Sequence, residues 1–117
     1  MTFEEWLAVE SPNIEKMQEF SKAPLPTTGA EISSALSLAF EYRQTAGELL
    51  AEINNYIIQA RAKFTIEVKK KMPDFTAADR KVIVEDEIRF YLRAQNILEV
   101  TYSTLKEKCY ALQRINQ

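Results

Sequence analysis

The residues with most chemical content in this 117-residue chain are cations. Arg61, Lys63, Lys69, Lys70 and Lys71 crowd into one short stretch, Arg80 and Lys81 follow soon after, and Phe64 and Phe75 lie among them. Clustered cations release counterions from a nucleic-acid backbone, and exposed rings stack on bases. These nine side chains are therefore the candidate contacts for single-stranded nucleic acid. The same pattern has a plainer reading, because cations at a helix C-terminus complement the macrodipole and keep an exposed end solvated. Repetition of the block in an oligomer would multiply a weak local attraction.

Other chemistry is scarce. There is no His and a single Cys109, so the commonest general base and the usual ligand sets for zinc and haem iron are missing. No Gly-rich phosphate loop, Cys pair or Gly-x-Ser-x-Gly occurs, and the chain reads as non-enzymatic, with no cofactor or metal expected. Glu85-Asp86-Glu87 offers hard oxygen ligands, but consecutive helical residues point about 100° apart and cannot converge on one cation. That run reads as a solvated face. Cys109 falls between Leu105 and Leu112 on an apolar stripe, where a small thiol behaves as an inert hydrophobe.

The elements that position these residues follow from punctuation. With only two Gly and four Pro, the chain lacks the turn residues that sandwiches and barrels consume, and all-α is the expected class. Thr2 with Glu5 forms a capping-box pattern that predicts a short helix to about Val9, and Ser11-Pro12 predicts a second short helix to about Lys22. Pro24 and Pro26 make residues 23–29 an extended connection. Residues 1–28 are thus two short N-terminal helices and a linker, and residues 29–117 form the main body.

Thr28 with Glu31 opens a helix of about forty residues ending near Lys71. Its apolar residues repeat in sevens, with Ile32, Ala39, Ala46, Ile53 and Ala60 in one row and Ala35, Tyr42, Leu49 and Tyr56 in the next. Met72-Pro73-Asp74-Phe75 breaks it. Thr76 with Asp79 then starts a helix predicted to run without interruption to about Ile115, its seam formed by Val84, Ile88, Tyr91, Gln95, Leu98, Tyr102, Leu105, Cys109 and Leu112. Gln95 reads as a polar residue that sets register. Two long helices with so short a connection predict an antiparallel, coiled-coil-like hairpin. Leu38, Phe40, Ile58, Ile83, Phe90 and Ile97 lie off the seam, and a hairpin has one inner face, so a homo-oligomer is expected.

Charge is uneven around a net −2. Residues 1–60 carry three Lys+Arg against nine Asp+Glu, whereas residues 61–72 carry five against one. Any attraction for an anionic partner must be local. A lone Cys, an acidic N-terminus and the absence of a long apolar run predict a cytoplasmic protein with no membrane segment.

The stretch Thr76-Ala77-Ala78-Asp79-Arg80-Lys81-Val82-Ile83-Val84-Glu85, followed by Tyr91, Leu98, Leu105, Ala111 and Ile115, resembles the C-terminal half of the UvsY-type recombination mediators of T-even phages. In that family a similar Ser-Ala-Asp-Lys start opens a long helix ending in Ala-x-x-x-Ile. Gln59-Ala60-Arg61-Ala62-Lys63-Phe64 sits where the family has a Lys-Ala-Arg segment, and the resemblance covers about 60 of the 117 residues. It implies a ring-like homo-oligomer, in the host cytoplasm, that binds single-stranded DNA and helps load a recombinase onto strands covered by single-strand-binding protein. Arg61 lands on a family basic position credited with DNA contact. The connection here is shorter than the family's, and the acidic N-terminal third with its Pro-Leu-Pro linker has no counterpart there. Those departures fit an alternative, a helical adaptor of phage or mobile-element origin acting through protein contacts only.

Overall fold

Thr2 Oγ accepts a hydrogen bond from the Glu5 amide at 3.2 Å, and the Glu5 carboxylate accepts one from the Thr2 amide at 3.2 Å. The Thr2 amide foremost, and the Thr2 side chain after it, hold the Glu5 carboxyl below its usual pKa. The two bonds open helix α1 (Phe3–Lys22). The computed structural model describes residues 1–116; Gln117, the end of the expected main body, lies outside them. Within them the chain is all-helical, and α1 is followed by α2 (Gly29–Lys71), α3 (Ala77–Glu87) and α4 (Arg89–Ile115).

Two expectations need correction. The two short N-terminal helices are one, with Pro12 inside α1. An interior proline costs about 3 kcal/mol and orphans the carbonyl four residues back. Here that carbonyl belongs to Ala8, and both Ala8 and Pro12 are exposed, opposite a stripe in which Phe3, Trp6, Ile14 and Met17 are buried. The proline thus falls on the exposed side of the helix, and one continuous apolar face is kept. The helix expected from Thr76 to Ile115 is likewise two, divided at Ile88, whose φ of −96° and ψ of 9° depart from helical values. The β-branched run Val82-Ile83-Val84 and three acids beside the C-terminal carbonyls weaken the helix there, and α3 has no cation in its last turn. The division is slight: Ile88 still donates to the Val84 carbonyl and Leu92 to the Ile88 carbonyl, both at 3.1 Å.

The chain divides into two compact units. The first comprises residues 1–50 with the segment from Ile97 onward, so the expected boundary after residue 28 is a connection inside it. Its core takes Phe3, Trp6, Ile14 and Met17 from α1, Ile32, Ala39, Ala46 and Leu49 from α2, and Leu98, Leu105, Cys109 and Leu112 from α4. Ile32, Ala39, Cys109 and Leu112 pack in one cluster with Phe20, Ala35 and Leu36. The last turn of α1 is held by Lys108. Its buried ammonium donates to the carbonyls of Phe20 and Ala23, the latter at 2.9 Å, and lies 4.3 Å from the centre of the Phe20 ring. Burial pushes the Lys108 amine below its ordinary pKa, while two carbonyls and a ring compensate the charge.

The second unit, Ala51–Asn96, is built from the end of α2, α3 and the start of α4. Ile53, Ile57, Ala60, Val68, Val84, Ile88 and Ala94 are buried, and Gln95 Nε2 donates to Asn54 Oδ1 at 2.7 Å. In this unit Ile58, Ile66, Phe75, Val82 and Phe90 remain exposed.

Candidate nucleic-acid interface

The basic block is divided by geometry into three groups. Lys69, Lys70 and Lys71 form the last turn of α2, all exposed, where the negative end of the macrodipole favours them. Lys63 and Lys81 are also exposed. Arg80 acts inward instead, because its Nη1 donates to the carbonyls of Phe75 at 2.6 Å and Pro73 at 3.3 Å and ties down the connection between α2 and α3. That connection is otherwise closed by the Phe75 amide on the Met72 carbonyl at 3.2 Å, and Thr76 Oγ accepts from the Asp79 amide at 3.1 Å to begin α3.

Arg61 forms a two-pronged ion pair with Glu85, Nε to Oε1 at 2.9 Å and Nη2 to Oε2 at 3.2 Å. The two side chains are 45% and 36% exposed, so the pair sits at the surface and exchanges with solvent. Beside it lies a cleft of about 410 Å³ lined by Arg61, Thr65, Lys69, Ala77, Arg80, Lys81, Val84 and Glu85. The cleft thus joins four of the expected cations, Arg61, Lys69, Arg80 and Lys81, with one carboxylate. Lys63, Lys70, Lys71, Phe64 and Phe75 do not line it. Of the two rings, Phe75 is 47% exposed at the connection, whereas Phe64 is half-buried and less able to stack on a base.

Thr65 and Glu85 are site residues that the sequence pattern does not single out. The acidic run places Glu85 on a solvated face, yet Arg61 and Glu85 lie symmetrically about Pro73, and counting outward from that break is the signal that pairs them. The neighbouring acid Asp86 turns elsewhere, to an ion pair with Arg89. Among the described residues no group of three or more His, Cys, Asp or Glu side chains is placed to hold a metal ion. Burial raises the Cys109 thiol above its usual pKa, against the opposing pull of Arg43 nearby. No helix among the described residues is long and apolar enough to cross a membrane.

No family model, curated protein or solved structure matches the chain. The resemblance to UvsY-type mediators is therefore carried by its sequence motifs alone.

Proposed function

We propose that the protein is a non-enzymatic, homo-oligomeric binder of single-stranded DNA that assists recombinase loading in the host cytoplasm, the role implied by its resemblance to UvsY-type mediators. In this reading α2 runs antiparallel to α3 and α4 as a coiled-coil-like hairpin. Arg61 with Glu85 and Asn54 with Gln95 in the second unit, and Ala39 with Cys109 in the first, support it: numbers rise on one side as they fall on the other. The observation that carries the function is the cleft of about 410 Å³ beside Arg61, lined by four cations and one carboxylate. Exposed Lys70, Lys71 and Phe75 extend that surface with further charge and a stacking face, which favours an unpaired strand.

The test is binding of a fluorescent oligo-dT by the purified protein. Affinity falls with salt at a slope of about −0.7 per phosphate contacted. The double variant Lys69→Ala, Lys81→Ala binds more weakly at unchanged oligomeric mass. Absence of binding at low salt removes the reading.

A second reading, an adaptor acting through protein contacts, is favoured by the exposure of Ile58 (63%), Ile66 (57%) and Val82 (70%) in one small unit. Exposed apolar side chains that form a patch are a liability unless another surface covers them. A protein that does not bind oligonucleotide yet still self-associates points to this reading.

A further inference from the structure

The Arg61–Glu85 pair has an unusual situation for a surface ion pair, because the guanidinium that faces the cleft is already neutralised while its neighbours Lys69 and Lys81 are exposed. A carboxylate holding a guanidinium by two prongs copies the geometry with which a phosphate holds one. We propose that Glu85 is a built-in counter-anion which a backbone phosphate of the bound strand must displace from Arg61 in order to enter the cleft, so that Glu85 sets the affinity and salt dependence of the site. This inference rests on the nucleic-acid reading above and assigns the regulation of that same cleft.

The physical argument is one of exchange. Lys69 and Lys81 attract the strand and shed mobile counterions as they do so, which produces salt dependence. Arg61 sheds none, since its counter-anion is covalently part of the protein and about a third exposed, free to swing into water once displaced. Arg61 therefore adds little to the salt slope of the native protein. Thr65 also lines the cleft, but its hydroxyl donates to the Arg61 carbonyl at 2.6 Å. Arg80 is bound to the connection by Nη1. Arg61 is thus the cleft cation whose charge is held in reserve.

Fluorescent oligo-dT titrations at several salt concentrations test the proposal on the full chain. Glu85→Gln keeps the shape and removes the competing charge. It should bind roughly three- to tenfold more tightly at low salt, with a salt slope steeper by about 0.7. Arg61→Ala should weaken binding in the native background, where it leaves Glu85 uncompensated in the cleft, and abolish the gain in the Glu85→Gln background. Glu67→Gln, which removes an acid of α2 that does not line the cleft, controls for overall charge. Circular dichroism verifies the helix content of each variant, and Glu85→Ala provides a second neutralised form. If the native protein binds and neither Glu85 variant binds more tightly, or if Glu67→Gln gains as much, the exchange idea is wrong and the nucleic-acid reading stands. If native and Glu85 variants all fail to bind at low salt, both fall together.

Discussion

The two units of this chain solve different problems with the same helical material. The first draws three helical segments around one core and carries six Lys+Arg against ten Asp+Glu, a net of −4. The second has fewer buried side chains, leaves Ile58, Ile66 and Val82 in solvent, and carries nine Lys+Arg against seven Asp+Glu, a net of +2. The lesson is a division of labour: buried core is concentrated in the first unit, and positive charge in the second. A region with little core has low local stability and more freedom to rearrange around a ligand.

The largest expected effect contrasts the two kinds of apolar residue. Leu105→Ala, at a site with no exposure, should cost about 2–5 kcal/mol in urea unfolding. Ile58→Ala, 63% exposed, should leave stability almost unchanged and instead lower the mass measured by light scattering. Equal losses of stability would erase the distinction between the units.

Next is Lys108. Lys108→Met keeps the aliphatic stem and removes the donors to Phe20 and Ala23, which should cost about 1–3 kcal/mol and speed hydrogen exchange in the last turn of α1. The pH dependence has a definite sign. The folded amine binds its proton less tightly than the unfolded one, whose ordinary pKa is 10.5. Its contribution to stability should therefore grow as pH rises from the depressed folded value towards 10.5, and the Met variant should lose that alkaline rise.

The smallest effect sharpens the picture of the first unit. Gly47 lies inside α2, and a Cβ there would sit 3.5 Å from Tyr102 Cε2, an ordinary contact. Gly47→Ala should stabilise by about 0.5–1 kcal/mol, read as a raised melting temperature. A loss would mean that the backbone approaches Tyr102 more tightly than that distance indicates.

Much of the helical architecture is legible because its signals are local. The capping residues Thr2, Thr28 and Thr76 each accept the amide bond their spacing implies. The row Ile32, Ala39, Ala46, Ile53 and Ala60 is buried throughout, since a helix in contact along its length must repeat its inner residues. What the sequence hides depends on partners distant along the chain. Pro12 looks like a start signal until the stripe on both sides of it is seen to share one face. Nothing in the sequence around Lys108 singles it out, and only the end of α1, 85 or more residues earlier, gives it a reason to be buried. The basic block is visible as composition. Which cations are tied down, Arg61 by Glu85 and Arg80 by the connection, is a matter of tertiary geometry that charge counting does not reach.

The most direct test of the central claim measures oligonucleotide binding and molar mass on one sample of the native protein at two ionic strengths. The expected result is a species several times the 13.5 kDa of one chain that binds oligo-dT at low salt and releases it as salt rises. A 13.5 kDa monomer with no affinity for the strand at low salt would contradict it.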